Sequence, residues 1–106
     1  PLIDLNEMTR NLYEALGPDT SKRAFVHYPA GTYPGQTKDF ADNTHFNPYG
    51  AYQIAKCVIE GMKKAVPELA KHLKIDPAYN PAHPDNVNAF HWNESPFTEI
   101  EKPDGN

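Results

Sequence analysis

The residues of this chain that are best suited to chemistry stand together at positions 42–47, which read Asp-Asn-Thr-His-Phe-Asn. An aspartate three residues before a histidine can fold back so that its carboxylate contacts the Nδ1–H of the imidazole. That contact fixes the tautomer, stabilises the imidazolium and leaves Nε2 available as a general base. The spacing of Asp42 and His45 therefore predicts a carboxylate–imidazole pair that can accept a proton.

Simpler interpretations of the same residues stay open at this stage. An Asp-x-x-His at the junction of a loop and a helix is often a cap or a solvated turn. A metal site would take His45 and Asp42 as ligands, with His27 as a third, but these residues lack the ordered spacing of known metal sites. The two serines, Ser21 and Ser95, lie in neither a Gly-x-Ser-x-Gly nor a Gly-Asp-Ser context, and we interpret them as surface or capping residues.

The element that must position this cluster is the helix predicted directly after it, while the cluster itself is predicted to be a loop. Asn47 is a good N-cap and Pro48 suits the first helical position. The helix is expected to run to about Ala65, and Pro67 either kinks it or starts a short further helix through Leu73. Apolar residues at spacings of three and four predict its buried face, namely Ala51, Ile54, Ala55, Val58, Ile59 and Met62.

Shorter elements are predicted upstream of the cluster. Residues 2–5, Leu-Ile-Asp-Leu, are expected to form a buried parallel strand. A helix follows from residues 6–9, and it should stop at Gly17 and Pro18, a C-cap glycine and a residue that cannot continue the helix. Residues 25–26 suggest a second extended piece, and residues 29–41 a long loop broken by proline and glycine. The apolar stripe of the first helix is Met8, Leu12, Ala15 and Leu16.

Length and composition limit the possible classes of function. The 106 residues suffice for one small domain, and the formal net charge of −4 argues against nucleic acid or an anionic membrane as a partner. No apolar run approaches the roughly 20 residues that span a bilayer. Cys57 is the single cysteine, so an internal disulfide is excluded. Because the chain opens inside a strand-like segment without an initiator methionine, we expect it to be the C-terminal part of a longer protein.

Charge is distributed unevenly along the chain. Residues 1–75 hold nine Lys/Arg and eight Asp/Glu, whereas residues 76–106 hold one lysine, six acids and five of the eleven prolines. Proline disfavours both helix and central strand, so residues 76–106 are predicted to be an irregular acidic tail. We expect Phe90, Trp92 and Phe97 to attach part of this tail to a surface, since fully disordered segments are usually poor in aromatic residues.

Three short segments carry a resemblance to a known family. Residues 42–51, Asp-Asn-Thr-His-Phe-Asn-Pro-Tyr-Gly-Ala, resemble the last conserved block of the SGNH (GDSL-type) hydrolases, and most closely their rhamnogalacturonan acetylesterase branch. Residues 1–6, Pro-Leu-Ile-Asp-Leu-Asn, and residues 27–31, His-Tyr-Pro-Ala-Gly, are similar to that branch as well. The resemblance extends over about residues 1–70. It implies that His45 is the general base of a Ser-His-Asp triad and Asp42 its orienting carboxylate.

The resemblance also implies a fold and a substrate. The complete domain would be a three-layer α/β/α, flavodoxin-like structure with a mostly parallel sheet, of which residues 1–75 form the C-terminal part, mainly helices and loops. The missing N-terminal part would supply the nucleophilic serine and the oxyanion donors. The substrate would be an acetylated carbohydrate outside the cytoplasm, reached by a secreted or periplasmic enzyme without metal or organic cofactor, and His27 and Tyr28 would lie near it. The alternative is a non-catalytic module that binds carbohydrate or a protein.

Overall fold

The computed structural model describes residues 1–75 and 78–93. These residues form an α/β structure of helices and a two-stranded antiparallel sheet. None of the helices in the described ranges is both long enough and apolar enough to cross a membrane. In chain order the elements are α1 (Leu5–Thr20), a 3-10 helix (Ser21–Ala24), β1 (Phe25–Tyr28), β2 (Phe40–Phe46), α2 (Pro48–Ala65) and α3 (Pro67–Ala70).

The strand predicted at residues 2–5 is wrong. Helix α1 already begins at Leu5, because the side chain of Asp4 caps it and accepts a hydrogen bond from the Glu7 backbone N–H at 3.0 Å. A strand also needs a neighbouring strand to pair with, and the sheet of the described residues consists of β1 and β2 alone. The apolar residues at the start of the chain are not buried in a sheet. Leu2 is 86% exposed, and Ile3 lies against Gly61 of α2.

The predicted end of the first helix is confirmed in part. Gly17 has a φ of 81° and a ψ of 173°, so the regular helix is interrupted there, as the Gly-Pro pair predicts. Pro18 then begins one more helical turn, which reaches Thr20 and passes into the 3-10 helix. Proline permits this because the first turn of a helix does not need its missing N–H.

The extended piece predicted at residues 25–26 is confirmed and continues to Tyr28 as β1. Residues 40–46, predicted as loop, form strand β2 instead, because they find a partner in β1 that the local sequence does not reveal. The pairing is interrupted between Val26, opposite Asp42, and Phe25, opposite Phe46. Residues 43–45 lie between these two pairs, and we call them the 43–45 bulge.

The ends of α2 agree with the prediction, but its buried face does not. Asn47 is the N-cap, Pro48 the first residue and Ala65 the last, whereas α3 ends at Ala70 rather than at residue 73. The predicted face is only half-buried or exposed, because long-range contacts cover a different side of the helix. The side that is buried contacts Ala24 and residues 79–85. It consists of Tyr49, Gly50, Gln53, Cys57 and Gly61.

The small core is completed by residues far apart in the sequence. Leu12 of α1 and Cys57 of α2 are fully buried, and Ala24 and Val26 are nearly so. Residues 78–93 contain neither helix nor strand and pack on the outside of α2. The ring of Phe90 contacts the α2 residues Tyr49 and Tyr52, each with ring centroids 5.4 Å apart. Trp92 is 41% exposed, and Phe97 lies outside the described residues. The division of the chain at residue 75 remains a prediction.

Candidate active site

The site is built on the backbone of the 43–45 bulge. The Oδ1 atom of Asp42 accepts hydrogen bonds from the backbone N–H groups of Thr44, at 2.6 Å, and of His45, at 2.9 Å. Aspartate favours this turn because its short carboxylate reaches the backbone two and three residues ahead. The turn brings the histidine side chain back over the carboxylate, and His45 Nδ1 lies 2.6 Å from Asp42 Oδ2.

This contact determines where the imidazole carries its proton. A carboxylate can only accept hydrogen bonds, so Nδ1 of His45 must be the donor. The side chain of His45 is 72% exposed and that of Asp42 only 13% exposed. Among the residues that the structure describes, Nε2 of His45 has no hydrogen-bond partner. The arrangement therefore presents an unprotonated Nε2 to solvent when the ring is neutral.

Asp42 is held in its ionised form by the same contacts. The backbone N–H of His45, the His45 ring and the backbone N–H of Thr44 all donate to the carboxylate and lower the pKa of Asp42 to about 2. The carboxylate is consequently charged at every pH where an imidazole can act as a base. It can stabilise the imidazolium that forms when Nε2 takes up a proton.

Asn47 fixes the end of β2 to the preceding segment. Its side-chain Nδ2 donates to the carbonyl oxygens of Arg23, at 2.6 Å, and Phe25, at 3.1 Å, while its Oδ1 accepts from the Gly50 backbone N–H at 2.9 Å. The sequence predicted the cap on α2 but not the two other bonds. The available signal was the residue type, since among the good N-cap residues only asparagine has amide donors as well as an acceptor.

The structure places His27 and Tyr28, the predicted substrate-lining residues, on β1 next to the site. His27 Nε2 lies 2.8 Å from Asn43 Oδ1 in the bulge, a contact that sequence reasoning missed. The Tyr28 ring packs against Tyr33 and Phe40, with centroids 5.0 Å and 6.2 Å apart. Burial and the neighbouring Tyr33 raise the pKa of Tyr28 to about 12, so its hydroxyl stays protonated.

Two cavities are lined by His27, the β1 residue that contacts the 43–45 bulge. A cavity of about 360 Å³ is lined by residues that include Phe25, His27 and Asn47, and another of about 320 Å³ by residues that include His27 and Tyr28. His45 lines neither of these cavities.

The remaining chemical groups of the sequence are placed as follows. Ser21 begins the 3-10 helix, and Ser95 lies outside the described residues. Cys57 is fully buried, and this burial raises the pKa of its thiol. Within residues 1–75 and 78–93, no three His, Cys, Asp or Glu side chains converge as metal ligands. The described part of the chain thus brings an imidazole and a carboxylate together, and Ser21 makes no hydrogen bond to either of them.

A comparison with known proteins gives one relative of stated function. The chain is 44% identical over 73 residues to a rhamnogalacturonan acetylesterase, RhgT, of Bacillus subtilis (strain 168). The matched segment is 69% of this chain and 32% of the relative, so the chain spans about a third of that protein's length. No family model matches the chain, and no solved structure does. The predicted resemblance to the rhamnogalacturonan acetylesterases is confirmed over this segment.

Proposed function

We propose that this chain is the C-terminal part of an SGNH-type serine esterase that removes acetyl groups from carbohydrate, of the rhamnogalacturonan type or a related one. The observation that carries the proposal is the 2.6 Å contact between His45 Nδ1 and Asp42 Oδ2 with Nε2 turned to solvent. The similarity to a rhamnogalacturonan acetylesterase over 73 residues supports the substrate class. In this proposal His45 is the general base and Asp42 orients it.

The proposed reaction has two acyl-transfer steps. A serine hydroxyl from the N-terminal part attacks the acetyl carbonyl while His45 Nε2 takes the hydroxyl proton, and the charged Asp42 stabilises the imidazolium. His45 then gives this proton to the sugar oxygen, which leaves as a free hydroxyl. In the second step water attacks the acetyl-enzyme, His45 removes a proton from the water and returns it to the serine, and acetate is released. The route requires no metal ion or organic cofactor.

The alternative, a non-catalytic module that binds carbohydrate or a protein, is less well supported. In such a module nothing would require Asp42 to contact an imidazole, and the carboxylate would be expected to face solvent or to cap α2. The cap of α2 is Asn47 instead, and the Asp42 side chain is only 13% exposed with both oxygens in hydrogen bonds to Thr44 and His45. The observed use of Asp42 therefore favours the esterase.

Acetate release from acetylated rhamnogalacturonan tests the proposal. The assay uses the complete protein, meaning the full-length product of the gene that encodes this chain, and a chemically deacetylated sample of the same polymer as the blank. We expect the wild-type protein to release acetate from the acetylated polymer and the His45→Ala variant to release none. His72 is also exposed, and the matched control variant His72→Ala should keep the wild-type rate. Full activity of His45→Ala would reject His45 as the base. A complete protein without acetyl-releasing activity would reject the substrate class. We also propose a secreted or periplasmic location, because the polymer lies outside the cytoplasm. Fractionation of the source cells tests this location.

A further inference from the structure

The hydrogen bonds that hold Asp42 and His45, the catalytic pair of the proposed function, lie within residues 42–45. Both oxygens of Asp42 accept hydrogen bonds from within this segment, Oδ1 from the backbone N–H groups of Thr44 and His45 and Oδ2 from the His45 ring. Strand pairing holds only the two ends of this segment, at Asp42 and at Phe46. The position of the imidazole relative to the sheet therefore depends on how the 43–45 bulge itself is fixed.

The side chain of His27 in β1 forms a hydrogen bond to the 43–45 bulge. The Nε2 atom of His27 lies 2.8 Å from Oδ1 of Asn43, the first residue of the bulge. Among the described residues, this is the one side-chain hydrogen bond that joins the 43–45 bulge to β1. His27 is half-buried, and its backbone is paired with Ala41 of β2, so the bond ties the bulge to the sheet.

The geometry points to His27 as a positioning residue for His45, acting through Asn43. This inference rests on the proposed function, and it differs from the role of substrate-lining residue that the sequence suggested for His27. The two roles use different parts of the ring. Nε2 of His27 is paired with Asn43 in the bulge, whereas a substrate would be bound through Nδ1 or the face of the ring.

The two roles also change different kinetic constants. A misplaced base weakens only the transition state, because the base makes no bond to substrate in the ground state, so kcat falls and KM stays constant. A lost substrate contact raises KM. Removing one neutral hydrogen bond is expected to lower kcat about three- to tenfold, since such a bond contributes on the order of 1 kcal/mol.

Variants of His27 in the complete protein separate these possibilities. His27→Ala removes the bond. His27→Gln places an amide nitrogen close to the position of Nε2 and should restore most of kcat, whereas the shorter His27→Asn cannot reach Asn43 and should behave like alanine. His72→Ala is the matched control, and thermal unfolding shows whether each variant is folded. A threefold or larger rise in KM at constant kcat would overturn the inference, as would equal kcat values for the alanine and wild-type proteins.

A spectroscopic measurement keeps this test independent of the proposed function. In complete protein labelled with ¹⁵N-histidine, the hydrogen bond to Asp42 should slow the exchange of the His45 Nδ1–H proton with water. This exchange rate can be measured by NMR. We expect His27→Ala to accelerate this exchange about three- to tenfold and His27→Gln to leave it near the wild-type rate. If the protein has no esterase activity, the proposed function fails, but this exchange rate still decides whether His27 positions His45. An unchanged rate in His27→Ala would refute the positioning role.

Discussion

Replacing Asp42 by asparagine should remove catalysis while leaving the bulge intact. Asparagine keeps an oxygen that can accept the backbone N–H groups of Thr44 and His45, which now bond to Asp42 Oδ1. Its Nδ2 amide would replace Oδ2, the atom 2.6 Å from His45 Nδ1. Because an amide nitrogen donates and does not accept, Nδ1 of His45 would have to become the acceptor. The proton would then lie on Nε2, where a base is needed.

The size of the effect follows from what the substitution removes. The wrong tautomer and the loss of a charge beside the imidazolium together cost up to about 10⁴-fold in kcat in serine hydrolases with the same kind of triad. That factor corresponds to about 5 kcal/mol in the activation free energy. The fold should lose much less, because the two backbone hydrogen bonds to the side chain at position 42 persist in the Asn variant.

Two measurements check this prediction of Asp42→Asn, both in the complete protein. One is kcat/KM for p-nitrophenyl acetate, and the other is the pair of ¹⁵N chemical shifts of His45, which reports the protonated nitrogen. A matched control is Asp4→Asn, since Asp4 Oδ1 also accepts a backbone N–H, that of Glu7 at 3.0 Å. The control should keep its activity within twofold. A loss below tenfold in Asp42→Asn, or a proton that stays on Nδ1, would refute the orienting role of Asp42.

Three further predictions concern stability. Gly50→Ala should destabilise the fold by about 3 kcal/mol in urea denaturation, because the new Cβ would lie 2.0 Å from the Ala24 carbonyl oxygen; an unchanged midpoint would contradict the close approach of α2. Tyr79→Phe should cost about 1 kcal/mol in the same assay, since it removes the 2.8 Å hydrogen bond to Gln53 Oε1, and a neutral effect would argue against this contact. The pKa of Asp42 is lowered from 3.8 to about 2, so its stabilising contribution is complete above the ordinary value and is lost as the pH falls from 3.8 towards 2. Unfolding titrations should show the difference between wild type and Asp42→Asn shrinking over that range, and a constant difference would contradict the shift.

Features that depend on neighbours in the sequence could be predicted. The contact of Asp42 with His45 spans three residues, so spacing and side-chain chemistry suffice to anticipate it. The limits of α2 follow from Asn47 as the cap and from Pro67 beyond the end, two signals that act within a single turn. The catalytic roles and the substrate are not fixed by these contacts and stay proposals.

Features that depend on distant residues could not be predicted from the sequence. Gln53 is polar and lies outside the predicted apolar face of α2, yet it is fully buried. It donates to Asp85 Oδ2 at 2.8 Å and accepts from Tyr79, so its burial leaves no polar atom unpaired. The bond between His27 and Asn43 was missed for the same reason, since it requires the register of β1 against β2. Single-sequence patterns do not contain this information.

Chemical rescue of His45→Gly is the measurement that tests the central claim most directly. The side chain of His45 is 72% exposed, so free imidazole can enter the space that the substitution leaves beside Asp42. The assay follows acetate release from acetylated rhamnogalacturonan by the complete protein, with the hydrolysis by imidazole alone subtracted. We predict that the His45→Gly variant is inactive by itself and that added imidazole restores acetate release. A variant that releases acetate at the wild-type rate without imidazole would contradict the account.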